Sequence, residues 1–117
     1  VPFYVGGHTD VALERAVRIG DGWTSAMMTC EQLAETIGQL KKLLADAGRA
    51  DDPFEYQAVC IDKFGLDGHR DIAAAGVTDY IGIPWVFEGL GFDAPVEKKI
   101  DSMKRFAETY IHSGWQD

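Results

Sequence analysis

The residues best suited to chemistry lie near the start of the chain, where two glycines join a short apolar strand to a helix. The strand is predicted over Phe3–Val5, Gly6 and Gly7 follow it, and the helix is predicted to open at Thr9 or Asp10. Glycine lets the backbone approach an anion closely, and the first turn of a helix offers unpaired N–H groups at the positive end of its dipole. The pattern predicts a phosphate cradle, and the alternative is a turn that needs glycine only for its geometry.

Three further side chains are candidates for lining a ligand pocket. Met27 and Met28 end the predicted second strand, at the edge of the sheet where parallel α/β folds bind ligands. Trp85 follows the predicted fourth strand. The alternative for both methionines is core filling, because methionine adapts its shape to gaps between helices and strands.

The chain shows no pattern that identifies a catalytic residue or a metal site. Cys30 and Cys60 lack metal-ligand spacing, so we expect reduced structural thiols. No cluster of further ligands would complete a metal site with His8, Thr9 and Asp10. The catalytic residues therefore remain unassigned, and no bound metal is expected.

Turn and capping residues divide the chain into four strand–helix units. Thr9 is a predicted N-cap, Thr29 and Gln32 form a predicted capping box, and Asp67 is predicted to cap a shorter helix. We expect His69 to lie exposed on that shorter helix. The predicted strands are Phe3–Val5, Trp23–Met28, Phe54–Ile61 and Asp79–Ile83, and the predicted helices are Val11–Ile19, Cys30–Ala47, His69–Ala75 and Val96–Tyr110.

Alternation of strands and helices predicts an α/β fold with parallel strands and helices packed outside. The predicted strands lack a clean polar alternation, which favours a sheet covered on both faces. Two architectures satisfy this order. One is a small doubly wound sheet, and the other is half of an eight-stranded (β/α) barrel, which needs about 250 residues when whole.

Composition and charge restrict the partners and the location of the protein. Nineteen acidic residues against eleven lysines and arginines give a net charge of −8, which argues against a nucleic-acid partner. No apolar run approaches the length of a membrane span, so no membrane association is expected. We expect a cytoplasmic location. The chain begins with Val1 and Pro2 rather than an initiator methionine, which indicates a fragment or a processed product.

Three spaced segments resemble a known family. Pro2–Thr9, Ala12–Ala16 and Gly20–Trp23 are similar to the C-terminal half of the bacterial luciferase-like monooxygenases, and most similar to the branch that uses the deazaflavin coenzyme F420. The segment Ala75–Asp79, followed by an apolar strand at Tyr80, is typical of that branch's final barrel strand. The resemblance covers nearly the whole chain.

The resemblance implies that residues 1–117 form a single partial domain, the C-terminal half of a TIM (β/α)8 barrel. It places the phosphate of the cofactor, coenzyme F420 or alternatively FMN, at Gly6–Thr9. Gly6 and Gly7 would allow close backbone approach, and His8 and Thr9 would donate N–H groups. The Thr9 hydroxyl and the His8 imidazole would be further donors, and the pocket of Met27, Met28 and Trp85 would hold the flavin or the substrate.

The implied activity of the whole enzyme is hydride transfer or monooxygenation on a small-molecule substrate. In this family the N-terminal half supplies much of the isoalloxazine pocket, so the chain alone is expected to lack full activity. Half a barrel has open strand edges, and Val5, Ala26 and Ile81 are expected on its inner face. We therefore expect a homo-oligomer or association with the missing half. The alternatives are a non-catalytic module that binds phosphate ligands and a subunit that has lost its cofactor.

Overall fold

The computed structural model describes residues 1–114 of the 117-residue chain. These residues form two compact units, one over Val1–Ile81 and one that begins at Gly82. The C-terminal end of the predicted partial domain, residues 115–117, lies outside the described part. The first unit contains strands β1 Tyr4–Gly6, β2 Gly22–Met28, β3 Glu55–Cys60 and β4 Asp79–Tyr80, and helices α1 Asp10–Ile19, α2 Cys30–Asp46 and α3 Gly65–Ala74.

The four strands form one parallel sheet in the order β1-β2-β3-β4. The predicted α/β class with parallel strands is therefore confirmed. A doubly wound sheet reverses its strand order at a switch point, and this sheet does not. With right-handed crossovers, an unreversed order places successive helices on the same face of the sheet.

The core of the first unit lies between the sheet and its helices. Strand β3 alternates cleanly, with Tyr56, Ala58 and Cys60 buried and the residues between them half-buried. The face of the sheet opposite this core, which carries the half-buried residues of β3, is called the open face. The buried cluster consists of Leu13, Ala16, Val17, Trp23, Met28, Leu33, Ile37, Leu40, Leu44, Phe54, Tyr56, Ala58, Cys60 and Ile72.

A side-chain contact joins the first and last strands of this sheet and favours a curved sheet over a flat one. The hydroxyl of Tyr4 on β1 lies 3.4 Å from Oδ2 of Asp79 on β4. Three strand spacings separate these strands, which is about 14 Å in a flat sheet, so there the two side chains would meet only if both extended fully toward each other. A Cβ at residue 22 would lie 3.0 Å from the Tyr4 ring, so Gly22 lets that ring lie over β2.

Local capping agrees with the sequence at the first two helices. The Thr9 hydroxyl accepts the N–H of Ala12 at 3.2 Å. Thr29 and Gln32 form the predicted capping box, with reciprocal bonds of 3.2 and 3.0 Å. Each bond satisfies a donor that helix geometry leaves without an intrahelical partner, so both N-cap predictions are confirmed.

The third helix departs from the sequence prediction in two respects. It begins at Gly65, so Asp67 lies in its first turn and pairs with Arg70 at 2.7 Å rather than capping it. His69 is 8% exposed and its ring packs edge-on against Tyr80 at 4.6 Å. The expectation that His69 is exposed was wrong, because it shares the inward face of this short helix with Ile72.

The second unit contains helices α4 Pro84–Phe87 and α5 Val96–Phe106, followed by a π-helical turn Ala107–Ile111. The helical spacing of Val96, Ile100 and Met103 predicts a buried apolar face on α5, but Val96 and Met103 are 64% and 54% exposed. The buried residue of α5 is instead Ser102. Among residues 1–114, no helix is both long enough and apolar enough to cross a bilayer.

Candidate functional site

The predicted phosphate cradle, Gly6–Thr9, joins the carboxyl end of β1 to the first turn of α1. Gly7 has a φ of +113°, a conformation that residues with a Cβ rarely adopt. A Cβ at this position would also lie 2.6 Å from the Cβ of Ala12. Glycine is therefore required at residue 7 by backbone geometry and by space.

The buried indole of Trp23 orients the cradle. Its Nε1 donates to the carbonyl oxygen of Gly7 at 2.8 Å, and the side chain is fully buried in the core. The C=O and N–H of a trans peptide point in opposite directions, and every peptide described here is trans. Because the carbonyl of Gly7 points toward Trp23, the N–H of His8 points away from it.

A run of backbone donors remains available at the start of α1. Within residues 1–114, the N–H groups of His8, Thr9, Asp10 and Val11 donate no hydrogen bond. The next N–H, that of Ala12, is taken by the Thr9 hydroxyl, which keeps its own proton for donation. Four successive unpaired donors at the positive end of a helix are the arrangement that binds anions in many proteins.

One carboxylate opposes an anion at this place. Asp10 is the first residue of α1 and is exposed, so its negative charge lies beside the unpaired N–H groups. It complements the helix dipole in the absence of ligand but repels a bound phosphate. The first turn of α1 contributes no lysine or arginine to balance it, so the attraction for an anion rests on backbone dipoles.

An irregularity in β2 connects this strand to the cradle. Thr24 pairs with Gln57 and Met27 pairs with Val59, so three steps along β2 match two along β3. The extra residue frees ladder groups that find side-chain partners. The N–H of Val59 donates to Ser25 Oγ at 3.0 Å, and the N–H of Ala26 donates to His8 Nε2 at 3.0 Å.

The N–H group of the bulge determines which nitrogen of the His8 ring accepts a hydrogen bond. A backbone N–H can only donate, so His8 Nε2 accepts and the ring proton lies on Nδ1. The ring also lies 5.9 Å from the Trp23 ring, centroid to centroid. Bulges occur often beside binding sites, where they redirect a side chain.

The two methionines are adjacent on a regularly paired part of β2 and therefore lie on opposite faces of the sheet. Met27 is 63% exposed and lies next to Ala26, whose N–H holds the His8 ring. Met28 is 8% exposed and belongs to the core, which is the alternative that its residue type allowed. The structure therefore brings Met27, and not Met28, to the same region as His8.

Trp85 lies in the second unit, on helix α4, and is half-buried. The ammonium group of Lys99 lies 5.6 Å from the centroid of its ring. Its pocket role remains a prediction. Val5 on β1 was predicted to lie on the inner face of the sheet. It packs instead against the helix-side core, because Tyr4 and Gly6 occupy the open face.

Sequence reasoning missed the residues that hold the cradle in place. No sequence pattern predicted the bond from Trp23 to Gly7, and Ser25 and Ala26 carried no signal of a bulge. The unit of residues 1–81, like the rest of the described chain, contains no group of three or more His, Cys, Asp or Glu side chains that would hold a metal ion.

Comparisons with known proteins give relatives but no function. The chain is similar to uncharacterized proteins of Mycobacterium bovis and of two strains of Mycobacterium tuberculosis, each 36% identical over 115 residues. The match covers 95% of this chain and 38% of each relative, so the chain spans well under half of their length. No family model and no solved structure matches the chain.

Proposed function

We propose that this chain holds the phosphate of coenzyme F420, or alternatively FMN, in a luciferase-like oxidoreductase. The observation that carries the proposal is the run of four unpaired backbone N–H groups from His8 to Val11. They lie at the carboxyl end of a parallel strand, which is where open α/β sheets bind ligands. The resemblance at Pro2–Thr9 supports this choice of cofactor over other phosphates.

The architecture we propose for the first unit is part of a (β/α)8 barrel, with the whole chain as its C-terminal half. Two features support it. The strand order is unreversed, as it is in barrels. The contact between Tyr4 and Asp79 across the open face favours a curved sheet, and barrel closure needs such curvature.

The cofactor and the described residues would have separate roles. The bound cofactor would supply the redox chemistry, either hydride transfer or oxygen activation. The backbone from His8 to Val11 and the Thr9 hydroxyl would fix the phosphate. His8, with its proton on Nδ1, would present one more donor, and Met27 would offer an apolar surface to a small-molecule substrate or to the ring.

A titration of ligands that differ only at the phosphate tests the cofactor assignment. FMN and riboflavin share the isoalloxazine ring, and riboflavin lacks the phosphate. We expect FMN and F420 to bind and riboflavin to bind at least tenfold more weakly, measured by quenching of cofactor fluorescence. Equal binding of riboflavin and FMN would contradict the phosphate cradle. Competition by inorganic phosphate together with no preference for flavins would instead favour a non-catalytic phosphate-binding module.

A matched pair of variants at Asp10 isolates the backbone donor. Asp10→Ala removes the carboxylate and keeps the N–H, whereas Asp10→Pro removes both. Proline is tolerated in the first helical turn, and the preceding Thr9 is extended, as a residue before proline should be. Because bonds to charged groups contribute about 1.5–3 kcal/mol, we expect FMN to bind Asp10→Pro roughly 10- to 100-fold more weakly than Asp10→Ala. Identical affinities would exclude that N–H from the site.

A further inference from the structure

The two cysteines, which are thirty positions apart in the sequence, meet at the carboxyl ends of neighbouring strands. Cys60 is the last residue of β3 and is fully buried. Cys30 is the first residue of α2 and is half-buried. Met28 pairs with Cys60 in the parallel register, so Cys30, two residues further on, begins its helix beside the end of β3.

A single carboxylate oxygen accepts hydrogen bonds from both cysteines. Oδ1 of Asp62 accepts the backbone N–H of Cys30 at 2.8 Å and the thiol of Cys60 at 3.3 Å. The bond from the Cys30 N–H is the main cause that lowers the pKa of Asp62. Asp62 is exposed and forms no ion pair with the adjacent Lys63. Lys63 pairs instead with Asp71 at 3.0 Å.

The two thiols are also neighbours of each other. Burial is the main cause that raises the pKa of both Cys30 and Cys60. The thiol of Cys60 acts in the opposite direction on Cys30, as a hydrogen-bonding neighbour that lowers its pKa. The thiol of Cys30 lies 3.6 Å from the carbonyl oxygen of Asp71. The raised pKa values leave only a small fraction of thiolate at neutral pH, so oxidation is slow and begins at the more exposed Cys30.

We propose that Cys30 and Cys60 form a reversible intramolecular disulfide when the protein meets a hydroperoxide. The sulfur of Cys30 attacks the peroxide and becomes a sulfenic acid, with water or an alcohol as the other product. The sulfur of Cys60 then displaces the hydroxyl group of that sulfenic acid. The S–S bond forms, and the proton of Cys60 leaves with the hydroxyl as water. Two electrons pass from the thiol pair to the peroxide.

The surroundings favour this product over oxidation of Cys30 alone. Cys30 and Cys60 meet at the same Asp62 oxygen, so the Cys60 thiol reaches the Cys30 sulfenic acid faster than a second peroxide molecule does, and burial shields Cys60 from direct attack. Asp62 accepts the Cys30 N–H through a bond that the disulfide does not require it to break. A thiol donor such as glutathione or dithiothreitol would restore the reduced pair by exchange.

Mass spectrometry of the wild-type chain tests the proposal without any substitution. After hydrogen peroxide treatment and alkylation of free thiols, we expect an intact mass 2 Da below that of the reduced chain and no added alkyl group. A non-reducing digest should contain one peptide pair joined through Cys30 and Cys60. Dithiothreitol should return two alkylatable thiols. Sulfinic acid on Cys30 with Cys60 still free, or a disulfide between two chains, would overturn the proposal.

A variant checks that the neighbouring thiol is responsible. Cys30→Ser keeps a small polar side chain at the helix start and leaves Cys60 alone. In this variant we expect peroxide to cause no 2 Da loss, and Cys60 to be alkylated only after the chain is unfolded in urea. If Cys60 in the folded variant is oxidised at the rate seen for the wild-type pair, Cys30 is not the first site of attack and the proposed order is wrong.

Discussion

Replacing Gly7 with alanine is the sharpest test of the cradle geometry. The structure places residue 7 at a φ of +113°, and an added Cβ would lie 2.6 Å from the Cβ of Ala12. Both features oppose a side chain, and neither involves a ligand. Gly7→Ala should therefore destabilise the free protein, which can be measured before any cofactor is identified.

The size of the effect follows from two opposing contributions. A non-glycine residue held in a disfavoured backbone region costs about 1–3 kcal/mol, and a carbon–carbon contact far inside the usual 3.5–4 Å adds to this. Alanine also restricts the unfolded chain, which returns about 0.4–1 kcal/mol. We expect a net loss of about 2–4 kcal/mol, a large part of the total stability of an ordinary domain.

Urea denaturation followed by tryptophan fluorescence measures this loss, and Gly6→Ala is the matched control. A Cβ at residue 6 would meet Thr24 Cγ2 at 3.5 Å, an ordinary contact, and Gly6 does not have a positive φ. We expect Gly6→Ala to change the free energy of unfolding by less than about 1 kcal/mol, because it lacks both penalties. The midpoint for Gly7→Ala should fall with an unchanged m-value.

Equal stabilities of the two variants would refute the described geometry of the cradle. The double variant Gly7→Ala with Ala12→Gly separates the causes, because it removes the contact between the two Cβ atoms but keeps the backbone conformation. If the contact matters, the double variant loses less stability than the sum of the two single losses. If the losses simply add, backbone conformation alone explains the requirement for glycine.

Three further predictions concern other parts of the first unit. Burial lowers the pKa of His69 below 6.5 and outweighs the bond to the Gly65 carbonyl, so the unfolded chain binds more protons than the folded chain. The free energy of unfolding should therefore fall as pH drops below about 6.5. His69→Gln should flatten that fall in a series of urea midpoints measured from pH 7 to 5. The oxidised Cys30–Cys60 pair closes a loop of about 30 residues and should raise the free energy of unfolding by up to about 4 kcal/mol, with a higher melting temperature that dithiothreitol reverses. Thr9→Ala removes the cap of α1 and should cost about 1 kcal/mol by the same urea assay, whereas Thr9→Ser should restore most of it.

Much of the helical framework could be predicted from local sequence. The capping box of Thr29 and Gln32 and the apolar spacing of Leu33, Ile37 and Leu40 involve residues within one or two helical turns. Such signals depend on nearest neighbours along the chain, so the sequence contains them directly. The same holds for the strand–helix alternation, from which the parallel α/β class followed.

The short elements were predicted less well because tertiary contacts decide them. Asp67 had the residue type of an N-cap, but the helix starts two residues earlier and buries His69 against Tyr80. The apolar spacing on α5 was real, yet Val96 and Met103 remain exposed and Ser102 is buried. A periodic pattern shows that a helix has an apolar face, but not which neighbours that face meets.

The candidate site, like the fold, was predicted in part from local sequence and depends in part on tertiary contacts. The sequence by itself determined that two glycines and a capping threonine stand where a strand meets a helix, because those residue types carry their conformational preferences with them. Only the tertiary structure decided what surrounds them. The indole of Trp23 reaches Gly7, the bulged N–H of Ala26 holds the His8 ring, and one oxygen of Asp62 joins two cysteines. Each of these contacts links residues from different elements, and their distances depend on strand register and sheet curvature, which no local pattern specifies.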